Sequence, residues 1–304
     1  MPIDCKRIAS RYRVRRGARV RLRDFDPADT GGPELDALGP ATAKQRATAF
    51  LEENRAGLRR AQELLWATDT HSVLLVLQSM DAAGKDGTIK HVMSGLNPQG
   101  CDVHGFKRPS KAELDHNFLW RYWDKVPERG RIGIFNRSYY EEVLVVKVHP
   151  KLVVAERVTG GKPGKGFWDQ RYEDINHFEQ HLARNGTVIV KCFLNLSKGE
   201  QKRRLLARIE DDSKHWKFSP ADLAERAYWD DYMMAYEAML NATSTPWAPW
   251  YVIPADHKYS TRAIVAAILT GAITSLGLSW PKPTKEQMRG LAEAKKALGK
   301  ADSR

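Results

Sequence analysis

Ser72-Val-Leu-Leu-Val-Leu-Gln78, then Ser79-Met-Asp-Ala-Ala-Gly-Lys-Asp-Gly87, then Thr88-Ile-Lys-His91 is the stretch around which the chain is organised. A Val- and Leu-rich run short enough for one buried strand ends in small residues, a lysine follows, and a helix can open after it. Strand, tight loop with lysine, helix is the layout of a phosphate-binding loop. Loop N–H groups and the helix N-terminus supply partial positive charge there, and Lys85 supplies a full one. Ala82, Ala83, Gly84, Lys85, Asp86 and Gly87 are the candidate phosphate-binding residues. The match to G-x-x-x-x-G-K-[ST] is incomplete: Ser79 replaces the first glycine, and Asp86 stands where a metal-binding hydroxyl belongs. An ordinary strand-turn-helix corner with a surface lysine would read much the same. Asp81 tips the balance, because a carboxylate inside a phosphate loop repels its ligand unless a divalent cation sits between them.

Working outward, strands alternate with helices. Strands are expected near residues 101–106, 131–136, 187–195 and 250–254. Helices are expected over 41–67, over 111–122 behind a Ser110/Glu113 capping box, and over 168–184. Further helices are expected from Ser197 onward, through Leu223 to Tyr236, and over 261–273. This alternation implies an α/β fold, a three-layer αβα sandwich on a parallel sheet with right-handed crossovers. Ligands bind such sheets at the carboxyl ends of the strands, where the Asp81 loop and Arg137 both fall. Residues 1–40 carry a basic cluster and Gly/Pro turn chemistry, and read as an arm or extended wrap. Residues 41–283 read as one domain. Residues 284–304 read as a basic tail, either a weak helix or disordered.

Asn136-Arg-Ser-Tyr-Tyr-Glu-Glu142 follows the third of these strands. Arg137 there can reach phosphates held by the loop and act as a charge clamp; an arginine merely paired with Glu141 or Glu142 is the plainer alternative. Residues 203–224 have the position and composition of a nucleotide-kinase lid, and Arg204, Arg208, Lys214 and Lys217 are its candidate phosphate ligands. A solvated basic face accounts for some of these charges. Trp120, Tyr122, Trp229 and Tyr232 occur at helical spacing and are expected in the core. The nine histidines show no metal-ligand pairing.

The chain has 304 residues, 49 Lys and Arg against 37 Asp and Glu, and 42% hydrophobic residues. Its pI of about 9.6 favours polyanionic partners. Cys5, Cys101 and Cys192 form neither a disulfide framework nor a zinc pattern, so a reducing cytoplasm is expected. No stretch approaches the roughly 18 apolar residues of a membrane helix, and the N-terminus lacks the apolar core of a secretory signal.

Residues 79–87, Ile134-Phe-Asn-Arg-Ser-Tyr-Tyr-Glu141, Lys214-His-Trp-Lys-Phe218 and Trp247-Ala-Pro-Trp-Tyr-Val-Ile-Pro254 together resemble the polyphosphate kinase 2 family, in register from about residue 12 to 283. The resemblance implies a P-loop kinase-like fold with a helical lid. It also implies Mg2+-dependent, reversible phosphate transfer between inorganic polyphosphate and nucleotides. It makes Asp81 the metal-associated carboxylate that orients the attacking phosphate, Lys85 the neutralising lysine and Arg137 the clamp. Asn136 with Glu141 resembles the class III branch, which phosphorylates both nucleoside monophosphates and diphosphates. Expected partners are polyphosphate, AMP, ADP and ATP, with guanine nucleotides as further candidates. A homo-oligomer (dimer or tetramer) is expected, with no membrane and no nucleic acid. Residues 159–166 look like an insertion. The rival readings are an ATP-dependent nucleotide kinase and a non-catalytic basic nucleic-acid-binding protein; no recognisable nucleic-acid module supports the latter.

Overall fold

The computed structural model describes residues 4–301, apart from 16, 18, 33–34, 36–41, 158–162 and 218. Strands β1 (Ser72–Gln78), β2 (Cys101–Gly105), β3 (Ile132–Asn136), β4 (Thr187–Asn195) and β5 (Trp250–Pro254) form one sheet in the order β2-β3-β1-β4-β5. Every pairing is parallel. All seven residues of β1 are buried, as a central strand covered on both faces must be. Its side chains alternate between two cores. Leu74 and Val76 enter one with Phe135, Tyr139 and Tyr236; Val73, Leu75 and Leu77 enter the other with Phe50, Leu65 and Ile268.

The longer helices among the described residues are α1 (Cys5–Tyr12), α2 (Ala43–Thr68), α3 (Lys85–Val92), α4 (Lys165–Arg184), α5 (Lys198–Ile209), α6 (Pro220–Arg226), α7 (Trp229–Thr243), α8 (Lys258–Thr274) and α9 (Lys285–Ala301). Buried residues of α1, α2, α3 and α8 fill the second core, while those of α4 and α7 fill the first. This gives the three layers that strand-helix alternation implies. The strand order runs outward in opposite directions from β1, so the loop after β1 opens where the order reverses.

Several local expectations change. The 111–122 helix is broken into single turns, Lys111–Leu114 and Trp120–Trp123, although the Ser110/Glu113 capping box forms. Trp120 is 46% exposed and stacks on His116, so it is not core; Tyr122, Trp229 and Tyr232 are. The helix expected from Leu223 to Tyr236 divides into α6 and α7. The N-terminal segment packs against the sheet. Ile8 and Tyr12 are buried, Val14 N donates to Trp250 O (2.9 Å), and Arg13 bridges Tyr251, so the chain lies along the outer edge of β5. The tail forms helix α9, whose hydrophobic residues Met288, Leu291 and Leu298 are exposed. Of the expected insertion at 159–166, residues 159–162 lie outside the described residues, and the remainder leads into α4 through Gly164. No helix among the described residues is long and apolar enough to cross a membrane.

Candidate active site

The loop after β1 turns on two left-handed residues, Ala82 (φ 65°) and Gly84 (φ 104°), the second capping α3. Glycine adopts that conformation freely. Carbonyls across the loop are tied back to the protein. Lys85 Nζ donates to Ser79 O (3.2 Å) and Ser79 Oγ (2.8 Å), and Ser79 Oγ donates to Met80 O (2.8 Å). Gln201 Nε2 donates to Asp81 O (3.1 Å), and Arg204 Nη1 to Ala82 O (3.1 Å) and Ala83 O (2.8 Å). Among the described residues the N–H groups of Asp81, Ala82 and Gly84 donate to no other group, and the first N–H groups of α3 have no partner within their helix. With its acceptors capped and its donors open, the loop is arranged to receive an anion.

Arg137, at the carboxyl end of β3, also has a left-handed backbone (φ 66°). Its Nη2 donates to Asp81 Oδ1 (2.7 Å), and its Nη1 lies 4.0 Å from Glu141 Oε2. The pairing alternative is therefore half met: Arg137 is held by carboxylates, and the shorter contact is to the loop aspartate. Burial works against the guanidinium's charge, but Glu141 and Asp81 outweigh it and raise its pKa. Burial, with Arg137 beside it, lowers the pKa of Lys85 against the pull of Asp81 and Glu141. Burial pushes Glu141 above the usual carboxylate value, opposed by Arg137 and Lys85. The charges of Lys85, Arg137 and Glu141 are therefore linked: the two cations oppose each other, and each favours the carboxylate between them.

Two cavities meet here. One, of about 550 Å³, is lined by residues 81–88, Asn136, Arg137, Arg203, Arg204, Arg208, Lys214 and the start of α8. The other, of about 1600 Å³, is walled by apolar and aromatic side chains such as Phe106, Phe118, Tyr122 and Tyr228, and includes Glu141, Glu142 and Arg171. Phe106, Lys107, Arg108 and Arg137 line both. Glu142 pairs with Arg171 (2.8 Å), and burial together with Glu156 pushes its pKa up to about 8.

The remaining candidates divide. Asn136 Nδ2 donates to Asp86 Oδ1 (2.7 Å), which orients the first turn of α3, and Gly87 lines the smaller cavity in that turn. Arg204, 5% exposed, is the correction. Besides the loop carbonyls it serves Glu200 Oε1 (2.7 Å), Ala255 O (2.6 Å) and Asp256 O (3.0 Å), so its guanidinium holds backbone in place and has no fork left for a phosphate. Arg208 pairs with Asp222 (3.2 Å) and Lys214 with Asp211, both within the lid. The side chain of Lys217 lies outside the described residues.

Two residues that sequence reasoning passed over complete the site. With its amide nitrogen toward Glu141, fully buried Gln78 donates to Glu141 Oε1 (3.0 Å) and accepts from Ser138 N and Oγ (3.1 Å each). A glutamine closing an otherwise apolar strand was the available signal, since a buried amide needs partners. Gln201 sits three residues before Arg204 on one face of α5, and Arg226 Nη1 of α6 donates to its Oε1 (2.7 Å).

A phosphate loop facing an arginine across a carboxylate, under a basic helical lid, defines a P-loop phosphotransferase. The polyphosphate kinase 2 family model matches residues 41–277. The chain is 55% identical over 238 residues to an ADP-polyphosphate phosphotransferase of Rhodopseudomonas palustris, covering 78% of this chain and 82% of that one. It is 44% identical over 273 residues to an AMP/ADP-polyphosphate phosphotransferase of Meiothermus ruber, covering 90% and 96%. The crystal structure of polyphosphate kinase 2 from Arthrobacter aurescens superposes with a TM-score of 0.82 at 41% identity, covering 94% of this chain and 96% of that one. This chain belongs to the polyphosphate kinase 2 family.

Proposed function

We propose that the protein transfers the terminal phosphate of inorganic polyphosphate to AMP and ADP, reversibly and with Mg2+, and that guanine nucleotides serve as further acceptors. The observation that carries this reading is the meeting of two unlike cavities at Arg137. The smaller one is walled by cations and loop N–H groups and suits a phosphate chain; the larger has the apolar and aromatic lining a nucleobase needs. The similarity to relatives named for ADP and AMP/ADP acceptors supports the same assignment.

In this reading an oxygen of the acceptor's terminal phosphate attacks the terminal phosphorus of the donor. The new P–O bond forms as the bond to the bridging oxygen breaks, and that electron pair stays on the shortened chain. Lys85, Arg137 and the loop N–H groups hold the charge that develops on the transferred group. Glu141 and Asp81 hold Arg137 at the junction of the cavities. Among the described residues no cluster of three or more ligating side chains exists. That fits Mg2+, which takes one or two carboxylates and completes its shell with phosphates and water. Asp81, whose Oδ2 makes no hydrogen bond among the described residues, would hold it. When bound, the ion would neutralise charge on the phosphates.

The test is to incubate the protein with polyphosphate, Mg2+ and AMP or ADP, and to follow ADP and ATP. Both acceptors should be phosphorylated. No product from either, with folded protein, would overturn the reading. Phosphorylation of AMP by ATP without polyphosphate would favour the ATP-dependent alternative.

A further inference from the structure

The basic cluster near the N-terminus has no part in the site described above. Past α1 it alternates: Tyr12, Val14, Val20 and Leu22 are buried, while Arg13, Arg15, Arg19, Arg21 and Arg23 are exposed. Arg13 and Arg21 have extended backbones, and on extended chain the outward positions lie about 6.6 Å apart. The apolar half of the pattern accounts for the packing of the segment. It does not account for arginine at the outward positions.

Two cations of the cluster are already matched: Arg11 pairs with Asp29 (3.1 Å), and Arg23 stands 4.0 Å from Asp24. Arg13, Arg15, Arg19 and Arg21 have no side-chain hydrogen bond or ion pair among the described residues. The carboxylate of Glu237 is taken by the backbone N–H of Leu22 (2.7 Å). Arg15 and Arg19 flank the left-handed Gly17 (φ 76°) and line a cavity of about 260 Å³ with Leu240, Asn241 and Ser244 at the end of α7. The carbonyl end of that helix draws these two weakly, but Arg13 and Arg21 do not line the cavity. Four like charges along one surface repel each other, and a bound anion relieves that repulsion.

The row also leads somewhere. Val14 N donates to Trp250 O at the start of β5. Further on, Asn195 Nδ2 at the end of β4 donates to Phe25 O (3.1 Å), and Asp256 N beyond β5 donates to Pro27 O (2.9 Å). The segment therefore runs from the amino ends of the strands to the carboxyl ends, where the phosphate loop opens. None of its arginines lines either cavity of the active site. Polyphosphate suits such a row, because its charge repeats along the chain and it offers nothing else to recognise. A single-stranded nucleic acid calls for aromatic platforms on which bases stack, and the aromatic residue of the pattern, Tyr12, is buried.

We infer that Arg13, Arg15, Arg19 and Arg21 form a surface site for polyphosphate, separate from the catalytic cleft, that grips the trailing part of a long chain while its end is consumed. This rests on the function proposed above. Chains too short to reach from the loop to the row gain nothing from it.

The experiment compares wild type with the quadruple variants Arg13→Gln/Arg15→Gln/Arg19→Gln/Arg21→Gln and Arg13→Lys/Arg15→Lys/Arg19→Lys/Arg21→Lys, each checked for an unchanged denaturation midpoint. Binding of long-chain polyphosphate is measured directly, without acceptor, over a range of salt. The glutamine variant should bind it about tenfold more weakly, since exposed ionic contacts are individually modest. Its salt slope should fall by about 2.8, at roughly 0.7 per lost contact. Its kcat, KM for ADP and tripolyphosphate reaction should stay within twofold, and the lysine variant should regain most of the long-chain affinity. Unchanged long-chain binding, equal losses with tripolyphosphate, or no recovery with lysine would overturn the site. So would a single-stranded oligonucleotide that competes as tightly as long polyphosphate at matched salt and loses that advantage in the glutamine variant. A wild type that binds long polyphosphate through these arginines but phosphorylates neither AMP nor ADP would instead remove the functional reading and leave the surface site standing.

Discussion

Gln78 Nε2 stands 3.0 Å from Glu141 Oε1, so a neutral donor on the central strand faces the carboxylate whose other oxygen lies 4.0 Å from Arg137. Glu141 is thereby fixed between an amide and a guanidinium at the junction of the two cavities. A monophosphate acceptor must present its only phosphate to the point that a diphosphate reaches with its second, so the shorter acceptor depends more on how Arg137 is aimed. Glu141→Ala should lower kcat/KM for AMP at least tenfold more than for ADP, about 1.4 kcal/mol of differential transition-state stabilisation. Gln78→Met should move the same ratio in the same direction by a smaller factor. Parallel losses for the two acceptors would refute a role for Glu141 in acceptor choice.

Arg204 tests the difference between holding a loop and binding a phosphate. Its guanidinium reaches four carbonyl oxygens, a geometry that one ammonium cannot reproduce. Arg204→Lys should therefore lose nearly as much activity as Arg204→Ala, with both variants less stable by about 1–3 kcal/mol per carbonyl left buried without a donor. Activity and denaturation midpoints of the two variants decide it. If lysine retained most of the activity, positive charge alone would be what the site needs from this position.

Glu200, which pairs with both Arg203 and Arg204, should give the fold a measurable acid limb. Its hydrogen bond to Arg203 comes first among the influences that lower its pKa to about 2, from an ordinary value of 4.5. The folded state therefore binds the proton less readily than the unfolded one. The stabilisation is present above pH 4.5 and is lost as pH falls from there toward 2. Denaturation of wild type and Glu200→Gln at several pH values should show a stability gap that is full at pH 6 and narrows below 4.5. A gap independent of pH would mean that the ionised pair contributes nothing.

Beneath the site, Lys191 of β4 and Glu179 of α4 are both 0% exposed and 2.7 Å apart, with Tyr139 and Tyr140 donating to the same carboxylate (2.8 Å each). Lys191→Met leaves Glu179 buried without its counter-charge, and should cost about 3–5 kcal/mol. Lys191→Met/Glu179→Leu should recover part of that loss, because no buried charge remains, while the hydroxyls of Tyr139 and Tyr140 and the carbonyl of Thr243 lose a partner. Equilibrium denaturation of the three proteins measures it, and a double variant no better than the single one would contradict the account.

What was legible beforehand follows from the range of the interactions. The Val/Leu run of β1 and the loop sequence are local signals, and each produced the element it pointed to; the Ser110/Glu113 box formed but opened only the single turn Lys111–Leu114. Arg137 and Asp81 were readable because their chemistry is unusual for their place. Gln78, Gln201 and the second identity of Arg204 were not, since Gln78 meets Glu141 63 positions away, Gln201 meets Asp81 120 positions away, and Arg204 meets carbonyls 51, 52, 121 and 122 positions away. Composition made Arg204 look like its neighbours; only packing shows that its fork is already occupied by carbonyls. The breaks at residues 115–119 and 227–228 were hidden for a different reason, because apolar residues continue at helical spacing on both sides of each.

The strand-like segment at Arg13 and Val14 has a consequence for assembly. Its bridge to Tyr251 and its hydrogen bond to Trp250 cover the β5 side of the sheet, so among the described residues β2 is the margin where backbone groups could accept another strand. A sheet with one sealed margin can be joined once. If two copies met through β2, the outer margin at each end would be a sealed one, and no third copy could add. Growth by edge pairing terminates at a finite, two-fold object instead of running on as a fibre.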